Sequence, residues 1–164
     1  MLSADAGLLV DLAFVAFKSF AVIGDFDIVP DTLLRKFQSV QNVTARLITG
    51  TRRRDHITPV LRELHWLPVR KCIKFKVACL VCQLLSGQAP LYLADDCLVS
   101  NSTQRSLRSA DVPTCVVPRT LSSYGDRTFA AAGPRLWNSL PVQLCNPVIT
   151  YGLLRRQLKA HLFR

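Results

Sequence analysis

The sequence predicts a mainly α fold: a small helical domain with at most a short β hairpin near residues 115–130. Three observations predict it. Apolar residues return at three- and four-residue intervals in three separate stretches, the spacing that lines one face of a helix. Two of these stretches stop at a glycine, Gly50 and Gly87, as helices commonly do. Prolines at Thr58-Pro59, Leu67-Pro68 and Asn146-Pro147 sit where helices begin or have just ended. Composition agrees, because 164 residues of which 49% are apolar suffice for one buried core and are too apolar for general disorder.

Asp31 is the expected N-cap of the first helix. Leu33, Leu34, Phe37, Val40, Val43, Leu47 and Ile48 then recur at helical spacing until Gly50 supplies a stop. The polar side carries Arg35, Lys36 and Arg46, and the helix runs into Arg52, Arg53 and Arg54, whose charge complements the negative end of the helix dipole. Thr58 is the expected cap of a short second helix with Pro59 at its first position, running through Trp66, a core anchor. Leu67-Pro68 closes it, since the residue before proline disfavours the α region. Pro68 can start the next helix, whose stripe of Ile73, Val77, Leu80 and Leu84 ends at Gly87, with Arg70, Lys71 and Lys74 away from the stripe.

Ala89-Pro90 begins a short element, PLYLADDCL (residues 90–98), followed by NSTQRSLRSAD (101–111), which has no hydrophobic period and reads as a loop. Residues 115–117 and 127–130 are candidate strands joined across Tyr124-Gly125-Asp126. PRLWNSLP (134–141) reads as one or two helical turns between prolines, with Trp137 and Leu140 inward. Asn146-Pro147 opens a last helix, with Leu153, Leu154, Leu158 and Leu162 apolar and Arg155, Arg156 and Lys159 exposed.

Residues 1–30 stand apart, as a divergent apolar segment ahead of a helical domain over residues 31–164. Within it, LLVDLAFVAFKSFAVIG (8–24) is interrupted by Asp11 and Lys18 and falls short of the ~20 apolar residues that span a bilayer. The preceding MLSADAG is acidic where a secretory leader is basic. The expectation is a helix that packs on the body.

Charge is placed unevenly. Residues 1–31 hold Lys18 against Asp5, Asp11, Asp25, Asp27 and Asp31, a net of −4. Residues 32–76 hold eleven Lys or Arg against Asp55 and Glu63, a net of +9 of the chain's +10. Such focusing favours a polyanionic partner, nucleic acid first and an acidic membrane surface second. A solvated helical surface is the competing reading. The candidate contacts are Arg52, Arg53, Arg54, Arg70, Lys71, Lys74 and Lys76.

Several blocks add ancestry to this reading. They are the segment VQNVTARLITGTRRRDHITPVLRELHWLPVRKCIKFKVACLVCQLLSGQAPL (40–91), SLRSAD (106–111), VVPRT (116–120), YGDRTF (124–129) and PRLWNSLP (134–141). In this order they resemble the region downstream of the reverse transcriptase domain in non-LTR, LINE-type retrotransposon polyproteins, over residues 31–164. The resemblance implies a fragment without the polymerase, and thumb-like helices that help hold template and primer.

Residues suggestive of chemistry read otherwise. Cys79 and Cys82 form a CxxC inside KVACLVCQLL, where free thiols act as small apolar core groups and no second ligand pair at zinc spacing follows. Reduced thiols imply an intracellular compartment. Tyr92-Leu93-Ala94-Asp95-Asp96 mimics a polymerase metal motif, but two-metal phosphoryl transfer needs a third carboxylate on a neighbouring strand, and none is offered upstream. Asp55-His56 lacks a nucleophile and an orienting group. No nucleophile elbow, P-loop or zinc-protease helix is present, and the length excludes a complete reverse transcriptase. The sequence thus predicts a non-enzymatic chain with no cofactor and no small-molecule substrate, binding RNA or DNA through phosphates. The alternative is an inert relic or a recruited protein-interaction module.

Overall fold

The computed structural model describes residues 30–89, 114–122, 125–146 and 149–163. Among them run five helices: α1 (Asp31–Thr49), α2 (Ile57–Glu63), α3 (Val69–Leu85), α4 (Phe129–Asn138) and α5 (Tyr151–Phe163). Two 3-10 turns, Gly125–Arg127 and Val142–Leu144, complete the regular structure. The domain is mainly α, as the sequence predicts. The expected element at residues 90–98, with Asp95 and Asp96, the loop at 101–111, and residues 1–29 all lie outside the described residues.

Helix α3 is the hub, packed by α4 and α5 along most of its length and by α1 near its start. Val77, Ala78, Cys79, Val81 and Cys82 of α3 share the main core with Phe129 and Trp137 of α4, Leu144, Cys145, and Leu154 and Leu158 of α5. The buried surface of α3 is therefore wider than the expected stripe, whose Ile73, Leu80 and Leu84 are half-buried at its margin. Cys79 and Cys82 lie inside this core. A smaller cluster joins Ala45 of α1 to Val60 and Leu61 of α2, with Trp66 packed half-buried against it.

Helix boundaries follow capping chemistry, with shifts from the sequence reading. Asp31 is the first residue of α1 and Pro30 takes the cap position, its carbonyl accepting from the N–H groups of Leu33 and Leu34. Gly50 ends α1 at φ 67°, a left-handed conformation that glycine adopts without a Cβ penalty. Helix α2 begins at Ile57, so Thr58 and Pro59 lie inside its first turn, where the missing proline N–H has no helical partner to lose. The expected extension through Trp66 fails, because α2 stops at Glu63 in a Schellman closure. Trp66 N–H donates to Leu61 O (2.7 Å), His65 N–H donates to Arg62 O (3.0 Å), and His65 takes φ 54° where glycine is usual. Gly87 closes α3 with the same pair of bonds, Gln88 to Gln83 and Gly87 to Leu84.

The candidate strand at 127–130 is helical instead. Arg127 ends a 3-10 turn and Phe129 opens α4, so only PRLWN of the block PRLWNSLP is helical, as the second half of a longer helix with Pro134 inside it. Gly133 lets α4 approach α3 closely: a Cβ there would meet Val81 Cγ2 at 3.2 Å. Cys115 sits at an isolated β bridge, and its backbone is also held by a side chain of α4. Cys115 N–H donates to Asn138 Oδ1 (3.0 Å) and Asn138 Nδ2 donates to Cys115 O (2.9 Å), reproducing the two bonds of a strand pair. Pro118 has no N–H with which to extend a ladder. Nearby, Asp126 accepts from Thr120 and from Arg135, so three of the quoted blocks meet around α4. Replacing Asn138 by Ala removes both of these bonds to the buried Cys115 and is expected to cost about 2–3 kcal/mol, read as a lower urea midpoint.

The last helix starts at Tyr151, later than Asn146-Pro147 suggests; Ile149 N–H closes a turn on Asn146 O (3.1 Å) first. Leu154 and Leu158 are fully buried while Leu153 is 44% exposed.

Candidate nucleic-acid interface

The turn between α1 and α2 presents Arg52, Arg53 and Arg54, all exposed. Its shape is set by Asp55. The Asp55 carboxylate accepts from Arg52 N–H (3.2 Å), and Asp55 N–H donates back to Arg52 O (3.1 Å). Asp55 O in turn accepts from Arg46 Nη2 at 3.2 Å, tying the turn to the last turn of α1. One carboxylate therefore organises the backbone, and none among the described residues forms an ion pair with the three guanidinium groups. Left-handed Gly50 and the hydroxyl pair Thr49–Thr51 (2.6 Å) fix where this turn leaves the helix.

The α3 group lies elsewhere. Gln38 Oε1 of α1 accepts from Val69 N–H (2.9 Å) and Gln41 Nε2 donates to Leu67 O (2.9 Å), which clips the start of α3 beside the first half of α1. Arg70 reaches Asp31, the first residue of α1, at 2.6 Å. With 19 residues in α1, that ion pair stands about 28 Å along the helix axis from the arginine turn. The exposed pair contributes little stability. It does explain how a helix start bearing only cations, which the dipole disfavours, is tolerated.

Within α3, Arg70, Lys71 and Lys74 share one side of the first two turns. At about 100° per residue, Lys76 points about 120–160° away from them, toward the α5 seam. There Lys76 and Lys159 flank the half-buried Cys72, and burial pushes its thiol up while the two lysines pull it down. The sequence-predicted residues thus form three groups: the arginine turn, the Arg70–Lys71–Lys74 face, and Lys76. The approach of Lys159 to Cys72 and the bond from Arg62 Nη2 to Phe163 O (2.9 Å), which caps α5, had no signal in local sequence. Arg155 lies over the Tyr151 ring, 5.7 Å from its centroid.

Among the described residues no group of three or more His, Cys, Asp or Glu side chains converges as a metal site, and no helix is long and apolar enough to cross a membrane. The five described cysteines are free thiols. Burial raises Cys79 and Cys115 to about 11 from an ordinary value near 9.0. A thiol held protonated by the fold contributes stability that is complete below the unfolded value and withdrawn as pH climbs through the folded one. The urea midpoint is therefore expected to fall between pH 9 and 11, and to fall less in Cys79→Ala.

Comparison of the chain with protein-family models, curated proteins and solved structures returns no match.

Proposed function

We propose that this chain is a non-catalytic fragment of a non-LTR retrotransposon polyprotein that binds RNA or DNA through phosphates without reading sequence. The observation that carries the reading is the arginine turn. Three consecutive exposed guanidinium groups project from a turn whose Asp55 carboxylate accepts from the Arg52 backbone N–H, and none of the three forms an ion pair among the described residues. Exposed cations of this kind contact phosphate oxygens, which position a strand and carry no base information. The resemblance of residues 31–164 to the tail behind a polymerase domain supports the same partner.

The reading is tested by fluorescence anisotropy of the purified chain with two single-stranded RNAs of unrelated sequence and a primer–template duplex, at low and physiological salt. The expected result is similar affinity for both sequences and steep weakening with salt. A folded, monodisperse sample that binds none of them at low salt, or strongly prefers one sequence, overturns it and leaves the relic or protein-interaction reading.

A further inference from the structure

Helix α1 packs with its polar side. Its contacts with the body run through Gln38, Gln41 and Ala45. Its apolar stripe faces elsewhere: Leu33 is 40% exposed, Val40 59%, Val43 53% and Leu47 76%. At about 100° per residue, the centre of this stripe is rotated by about 150° from the packed side. A four-turn row of large apolar side chains in water is unfavourable by roughly 25 cal/mol per Å² of apolar surface, and such rows mark contact surfaces.

We propose that residues 8–24 of the same chain cover this stripe as the antiparallel partner of α1 in a helical hairpin. The length fits, since 17 residues make a helix of about 25 Å, matching the stretch from Leu33 to Ile48. The connection fits as well. Residues 25–30 separate the run from α1, within the usual span of about 2–8 residues for helix–helix links, and so short a link forces antiparallel order. Asp11 and Lys18 are seven apart and fall on one side of a helix, leaving the remaining face apolar apart from Ser19. Charge fits too. Antiparallel order sets Asp5 and Asp11 beside the end of α1 that carries Arg46 and Arg52–Arg54, and the net −4 of residues 1–31 meets the net +9 of residues 32–76. A second copy of the chain would bring α1 against α1, setting like-charged basic flanks together.

The test places a photo-crosslinking benzoylphenylalanine in the full chain at Val40, on the stripe, or at Ser39, which is exposed on a third side of α1. Both sites face solvent among the described residues, so the fold should survive, and circular dichroism checks that it does. Irradiation followed by peptide mapping is expected to join the Val40 probe to peptides within residues 8–24. The product should keep monomer mass, with a yield independent of protein concentration and well above that of the Ser39 probe. Crosslinked dimers whose yield rises with concentration would assign the stripe to a second copy. A Val40 probe that joins no peptide of residues 8–24, or does so no better than Ser39, would also overturn the proposal.

Discussion

Leu154→Ala is expected to destabilise the chain by about 3–5 kcal/mol, the range for emptying a fully buried leucine site whose neighbours relax only in part. Leu154 is fully buried in the core shared by α3, α4 and α5, so its truncation leaves a cavity inside that core. Against a total stability of roughly 5–15 kcal/mol for a domain of this size, the variant should be close to unfolding at 37 °C. At a urea dependence of about 2 kcal/mol per molar, the midpoint should drop by about 1.5–2.5 M with unchanged slope. Leu153, its sequence neighbour, is 44% exposed, and Leu153→Ala should shift the midpoint far less. A larger effect at Leu153 than at Leu154 would mean that α5 is rotated by about 100° from the orientation described, one residue of helical turn.

Removing the arginine turn has the second large effect. On the proposed function, the chain with Arg52, Arg53 and Arg54 all changed to Ala should lose three phosphate neutralisations. On single strands each contributes about 0.7 to the slope of log affinity against log salt, so the slope should shrink by about 2. Stability should hardly change, because these side chains are exposed and make no ion pair among the described residues. The companion variant Arg70→Ala, Lys71→Ala, Lys74→Ala addresses the other end of α1. About 28 Å corresponds to roughly eight phosphates at ~3.4 Å per step of one strand. A short oligonucleotide therefore engages one group at a time, and only a longer one should feel both triple changes additively. Circular dichroism and a parallel urea titration separate loss of contact from loss of fold.

What the sequence made legible depends on how local the cause is. Gly50 and Gly87 end their helices for a backbone reason carried by one residue, and both stops were readable. So were Leu154 and Leu158, although the same apolar set includes Leu153, which is 44% exposed. The end of α2 was not readable: His65 adopts the left-handed region that sequence normally assigns to glycine, and Trp66 anchors that turn through packing against the α1–α2 cluster. Helix α4 was hidden by Pro134, which looked like a start. The signal that would have found it is Ala130-Ala131-Ala132, the strongest helix formers available, directly where a strand had been read.

The candidate site divides along the same line. Three adjacent arginines after a helix stop are bound to be exposed, and that much was legible. Their distance from Arg70, Lys71 and Lys74 was not, because it depends on Gln38 and Gln41 clipping the start of α3 to the middle of α1 and on Arg70 reaching Asp31 at its first residue. Nor does amphipathicity reveal a helix's neighbour. The periodicity of α1 located its apolar face correctly, yet the body is packed on the glutamine side.

On the proposed function, nucleic acid sits at the turn after α1. An amide chemical-shift titration of the isotopically labelled chain with a short single-stranded RNA at low salt tests it most directly. The expected result is a set of progressive shifts centred on residues 50–56, with the backbones of α4 and α5 unmoved. Shifts confined to other surfaces while residues 50–56 stay fixed, or no shifts at all, would contradict it.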